Sequence, residues 1–447
     1  MSEAFLARVA QHIHALSWDN VQAEVQERLR WVLLDTFGCA FVGHRVGYHE
    51  QFVQQHLQFG GPAQATLWVR GGRLPEAHAA LVNGTVAHHV EMDDGTSRAS
   101  LHGGVTIIPA ALAIAETEAR SGRQLAEAIV AGYDAATAIG RILLPGIGLR
   151  RLHPPSMAGC FGAVAAAGKL LNLSVPQLAG ALALAGELLP LGPFETFTRG
   201  GPIKDLYGGW PAFIGVQAAR LAAQGVAGPL DILSAPRDGL SIFLPPREAT
   251  VDNVDPDPRE LLNDGFKAYS TCRSVQPTLT ALEQLDLSRI DPARIARVDV
   301  ESYAYAVGLS EDSDPTTAIG ARTSIPYGVA SMLLDHEVWP EAFGPDALRD
   351  PRRAALAARV SVRVAQDMVQ PLIRGARVNV TMDDGLSYRA EVPSTRWTPS
   401  NQATEGEIRA KLRRLAGESA PAIETAVSNL ASAPDVTALA HSLVAPS

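Results

Sequence analysis

From Gln22 to Gln224 the chain repeats one texture, in which apolar residues return at three- and four-residue steps until Gly or Pro breaks the run. The segments fall at Gln22–Cys39, Pro75–His89, Val105–Arg120, Gln124–Leu144, Met157–Leu171, Val175–Leu189 and Trp210–Gln224. This period gives each helix one apolar stripe, and successive stripes are buried when the helices pack on one another. A large all-α domain is therefore predicted. Met157–Leu171 is rich in Ala and Gly, which lets backbones approach closely, so it belongs in the middle of the bundle. Gln22–Cys39 is expected to close with Gly38-Cys-Ala-Phe-Val-Gly43.

The texture changes past the Pro-rich stretch Leu244-Pro-Pro-Arg247 and Val254-Asp-Pro-Asp-Pro258. Ala296–Tyr303 and Ala358–Val364 alternate polar with apolar residues, the period of half-buried strands. Arg377–Met382 and Leu386–Val392 flank Asp383-Asp-Gly385 and read as a β-hairpin. Helical patterns at Gln276–Leu285 and Ser324–Leu334 lie between the strands, and helices resume from Thr404. A chain of 447 residues is too long for one core. The expected fold is mainly α: a large all-α domain over 1–264, a smaller α+β lid over 265–400, and C-terminal helices over 401–447 that return to the helical domain.

Composition narrows the function. A net charge of −9, spread over both halves, argues against nucleic acid as a partner. Cys39, Cys160 and Cys272 stand far apart, which leaves no disulfide framework or zinc ribbon to expect. The first ten residues read as an amphipathic helix opening with an acid, and the apolar run Leu178–Leu191 is broken by Gly180, Gly186, Glu187 and Pro190. A cytoplasmic protein without membrane contact is the expectation. No G-x-G-x-x-G follows a strand and no G-x-S-x-G elbow occurs, while Gly162–Lys169 mimics a phosphate loop but continues into Leu170.

Residues 83–109 collect the titratable groups, with His88, His89 and His102 beside Glu91, Asp93 and Asp94. Adjacent buried carboxylates push one pKa upward, toward acid–base use; alternatively, Asp93 or Asp94 caps a helix. His102 before Gly103-Gly104, and His153 before Pro154-Pro155, each precede a long apolar helix. A helix N-terminus disfavours the imidazolium and leaves a neutral base. The three histidines of 83–109 match no metal-ligand spacing, and His88 and His89 are read as helix residues pointing about 100° apart. Lys204 among glycines, and Lys267 to Arg273 before an apolar helix, suit an anion site.

In order, Leu34–Cys39, Asn83-Gly84 with the acidic turn and His102, Gly132-Tyr-Asp134, His153-Pro-Pro-Ser156, Ile203-Lys204, Lys267-x-Tyr-x-x-Cys-Arg273 and Ser324-Ile-Pro-Tyr327 resemble the MmgE/PrpD family. That family includes 2-methylcitrate dehydratase, cis-aconitate decarboxylase and iminodisuccinate epimerase. The resemblance implies a homodimer with a cleft between domains and neither metal nor organic cofactor. It implies catalytic residues at Asp93, His102, His153, Lys204, Lys267 and Tyr327, with Thr96 and Arg273 binding substrate. Glu91 stands where the family writes Asp, Asp205 and Tyr207 replace its Pro and His, and Gln276 replaces a His. The chemistry expected is proton transfer next to a carboxylate of a small di- or tricarboxylic acid. A dehydratase-like hydro-lyase is the main expectation, with an epimerase, a decarboxylase or a non-catalytic carboxylate-binding protein as alternatives.

Overall fold

Helices dominate the computed structural model, which describes residues 2–47, 50–149, 151–233, 254–369 and 374–446. The segment from Leu244 to Arg247 lies outside these residues. The N-terminal half contains α1 (Ser2–Ala15), α2 (Ala23–Arg45), α3 (Glu50–Phe59), a short ribbon of β1 (Ala65–Thr66) and β2 (Arg73–Leu74), and α4 (Glu76–His88). It continues with α5 (Gly103–Thr117), α6 (Gly122–Leu149), α7 (Pro154–Leu170), α8 (Val175–Glu187), α9 (Phe194–Thr198) and α10 (Leu206–Ala223).

As its composition predicts, α7 is central, packing on α5, α6, α8 and α10, with Met157 to Ala167 wholly buried. Among the described residues α6 is the longest helix and is long and apolar enough to cross a membrane, but it is a core helix, largely buried and packed against α7. One boundary differs from expectation: α2 runs past Gly38 and Gly43 to Arg45. Both glycines lie at helix crossings, Gly38 against Leu415 and Gly43 against Val86, so they admit neighbours and do not end the helix.

The second half holds α11 (Gln276–Leu282), β3 (Ile295–Ser302), α12 (Ala304–Ser310), α13 (Ala318–Thr323), α14 (Ile325–Asp335), α15 (Pro345–Leu348) and α16 (Pro351–Ala357). Three further strands follow, β4 (Val360–Val364), β5 (Ala376–Met382) and β6 (Ser387–Val392). The sheet order is β4-β3-β5-β6, with β3 parallel to β4 and antiparallel to β5. The hairpin appears as predicted, with Gly385 at φ +86° in its turn. The chain closes with α17 (Glu405–Ala416), α18 (Ala420–Ser428) and α19 (Thr437–Ser442), and α17 and α18 pack against α2.

The crossing of α4 and α10 positions the site. A Cβ on Gly209 would stand 1.9 Å from the Leu81 carbonyl oxygen, and one on Gly208 would stand 2.6 Å from His88 Cβ. This close approach sets the end of α4, carrying His88, beside the start of α10, preceded by Lys204. Gly209→Ala is expected to cost about 3 kcal/mol by overpacking. The check is a lowered unfolding midpoint in calorimetry, with turnover falling too because both side chains move.

Candidate active site

Past His88 the chain leaves α4 in a tight turn, in which Glu91 takes a left-handed backbone (φ +54°) and Glu91, Asp93 and Asp94 are all buried. Few residues other than Gly adopt that conformation without cost, so the turn is held by its partners. Those partners are numerous. Asp93 Oδ2 accepts from His88 Nδ1 at 3.0 Å and lies 2.8 Å from His102 Nδ1, which also reaches the Asp94 carbonyl at 2.7 Å. All of these oxygens are acceptors, so each ring carries its proton on Nδ1 and its Nε2 is a free base when the ring is neutral.

The two adjacent carboxylates serve different ends. Burial alone would raise Asp93, but Lys267, His88 and His102 outweigh it and hold the carboxyl well below the usual range. Asp94 turns the other way, accepting from Gly104 N at 3.0 Å and from the Tyr133 hydroxyl at 2.7 Å. Behind it, burial and then the Asp94 charge push Asp264 well above its ordinary value. The raised carboxyl expected within the acidic turn is thus displaced to Asp264.

Buried cations close over the turn. Glu91 bridges Lys204 and Lys267, with Lys267 Nζ 2.9 Å from Oε2 and 3.5 Å from Asp93 Oδ1. Lys204 also donates to the His88 carbonyl at 3.3 Å, and burial pushes its ammonium well below the usual lysine value. Lys411, on α17, comes up from beneath: its Nζ meets Asp35 Oδ1 at 2.5 Å and the carbonyls of Met92 and Lys267 at 2.6 and 2.9 Å.

A cavity of about 280 Å³ opens over these groups, roughly nine water molecules' worth of space. Its walls include His88, Glu91, Thr96, His102, His153, Lys204, Lys267, Cys272, Arg273, Tyr303 and Arg374, drawn from both halves of the chain. His153 caps α7 and stacks on Tyr207, ring centroids 4.2 Å apart. Among the described residues its Nδ1 is buried without a hydrogen-bond partner, and burial carries its pKa well below the usual value. Arg273 donates to the carbonyls of Gly95 and Gly265.

The structure therefore brings together Asp93, Thr96, His102, His153, Lys204, Lys267 and Arg273. Tyr327 is not brought to this cavity: its hydroxyl donates to the Ala342 carbonyl at 2.8 Å, with the ring against Phe343. His88 is the helix residue expected, the last of α4, but it also lines the cavity and shares Asp93 with His102. The predicted divergence from His89 does hold, since His89 turns to Asp205 at 2.8 Å. Lys411 was also missed. Its signal was a lysine between Ile408 and Leu415 on the apolar stripe of α17.

Residues 7–252 match the MmgE/PrpD N-terminal domain and residues 269–432 the MmgE/PrpD C-terminal domain. The chain belongs to the MmgE/PrpD family. It is 25% identical over 429 residues to a cis-aconitate decarboxylase of Aspergillus terreus, covering 90% of this chain and 87% of that protein. It is also 25% identical over 480 residues to the cis-aconitate decarboxylase of Homo sapiens, covering 100% and 96%, and 24% identical over 464 residues to that of Mus musculus, covering 97% and 92%. Family and relatives together support an enzyme acting on a carboxylic acid.

Two experiments test the histidine pair. Burial first, then Lys204, lowers His88 to about 4 against the pull of Asp93. Between that value and the unfolded value near 6.5 the unfolded chain binds the extra proton, so stability falls as pH drops through this window, by up to about 3 kcal/mol from His88. His88→Asn, which can still donate to Asp93, is expected to flatten that part of a stability–pH profile measured by denaturant titration. The ligand atoms of His88, Asp93 and His102 lie within 4.8 Å of one another, a spacing that could also hold a divalent cation if the Nδ1 protons left. With those protons already satisfying Asp93, protein treated with a chelator should keep its turnover and carry less than one metal per chain by elemental analysis. Stoichiometric metal, with activity lost on chelation, would reverse that assignment.

Proposed function

We propose that this protein is a decarboxylase of the lyase class, releasing CO2 from a small unsaturated di- or tricarboxylic acid by acid–base chemistry. The observation that carries the proposal is the sharing of Asp93 by His88 and His102 beside the buried lysines, on a cavity of metabolite size. Heterolysis of the bond to the departing carboxylate leaves its electron pair on the substrate carbon. That pair spreads into the neighbouring unsaturation and carboxylate. Arg273 supplies positive charge where it builds, with Lys204 and Lys267 behind it paired to Glu91, and an imidazolium then returns one proton to carbon. Asp93 stabilises the charged ring before that transfer and keeps the neutral tautomer fixed afterwards. No redox change occurs.

Decarboxylation takes precedence over the expected dehydration on two grounds. The relatives named above are decarboxylases along nearly their full length. Dehydration also needs an acid for the departing hydroxyl beside the base that takes the α-proton, and the Tyr327 hydroxyl expected to serve there donates to the Ala342 carbonyl. Homodimeric assembly and a cytoplasmic setting belong to the same proposal.

The test is incubation with cis-aconitate and related acids in D2O, followed by NMR. Loss of CO2 with one deuterium entering carbon, at either end of the allyl system over which the pair spreads, is expected. His102→Ala and Lys267→Met should each lower kcat by about 10²-fold or more. Loss of water from a hydroxylated tricarboxylate, without CO2 release from any acid, would restore the hydro-lyase reading. Deuterium exchange without net conversion would point to epimerisation.

A further inference from the structure

Glu91 is the unusual member of the cavity wall. Its carboxylate is buried, stands on a left-handed backbone and touches both lysines that line the cavity. The lysines are otherwise engaged by the His88 carbonyl and by Asp93, so their charge is already answered from within the protein. Two further cations line the same space. Arg273 uses one guanidinium nitrogen on the Gly95 and Gly265 carbonyls, and Arg374, half-buried, makes no hydrogen bond among the described residues. Two lysines and two arginines thus face Glu91, with Asp93 behind it, which leaves uncompensated charge for two substrate carboxylates and not three. A third would have to sit against Glu91 in a poorly solvated space, where like charges repel.

We propose that Glu91 is a built-in carboxylate occupying the lysine pair. The protein then selects a dicarboxylate, held through Arg273 and Arg374, and disfavours a tricarboxylate. Glu91 is on this view a specificity-determining residue, and the proposal rests on the reading of this cavity as a carboxylate site. With one carboxylate lost as CO2, the product keeps one, and the proton count is the same as for any decarboxylation.

Equilibrium binding by calorimetry with two unreactive probes tests it, because glutarate and tricarballylate share a propane backbone and differ by the central carboxylate. The wild-type protein is expected to bind glutarate at least as tightly as tricarballylate. In Glu91→Gln, which keeps the shape and removes the charge, the ratio should move toward tricarballylate by tenfold or more. Glu91→Asp, one methylene shorter, should move it by a smaller factor and serves if Glu91→Gln does not fold. A wild type that prefers tricarballylate tenfold, or a ratio unmoved in the variants, overturns the proposal while leaving decarboxylation standing. Failure to bind either probe, with no CO2 released from any acid, overturns the functional reading itself and this inference with it.

Discussion

Charge buried in a helical bundle is tolerated only when it is paired, and Lys411 is where that constraint is met most economically. Its ammonium, 1% exposed, joins α2 through Asp35, the acidic turn through Met92, and the Lys267 segment through that residue's own carbonyl. Removing it would strand a buried carboxylate and two buried carbonyls, a loss larger than any one hydrogen bond contributes. The C-terminal helix α17 is thereby more than a brace on α2. It sets the height of the turn on which Glu91 and Asp93 stand, and of the backbone from which Lys267 reaches them.

Above that floor the groups form layers with separate duties. Asp93 lies just beneath the cavity wall and fixes two imidazole tautomers, while Asp94 turns inward and anchors the start of α5 through Gly104. Asp264, pushed above its ordinary value by burial and by the Asp94 charge, lies behind that layer, and the Tyr133 hydroxyl donates to Asp94. This separation lets adjacent acids in sequence avoid competing for one environment. It also explains Gly103 and Gly104: a Cβ on either would strike the Tyr133 ring or the Asp94 carboxylate. The glycines after His102 are therefore part of the acid–base site, since they admit the partners that orient it.

The order of helices, the hairpin and the central place of α7 were legible in the sequence because each depends on local period and on small residues. The site was legible where a residue sits at a helix entrance, as His102 and His153 do. It was not legible where side-chain direction depends on a turn's backbone. His88 is the case in point: spacing correctly separates it from His89, but only the end of α4 and the turn through Glu91 bring Asp93 back onto its ring. Tyr327 is the reverse case. Its motif places it near the start of α14, and nothing in the motif records that the hydroxyl is taken by Ala342.

The family departures follow from the same packing. Gln276 donates to Tyr269 and Thr271 and accepts from Ala268, so its amide fastens the loop from Lys267 to Arg273. Asp205 receives His89, and Tyr207 supplies a flat face for His153, whose Nδ1 has no hydrogen-bond partner among the described residues. These three replacements position groups that already existed. Glu91 differs in kind, because its extra methylene, projected by a left-handed residue, carries a full negative charge to the lysine pair. A cavity wall in which the protein supplies one of the anions asks less charge of the molecule that binds there.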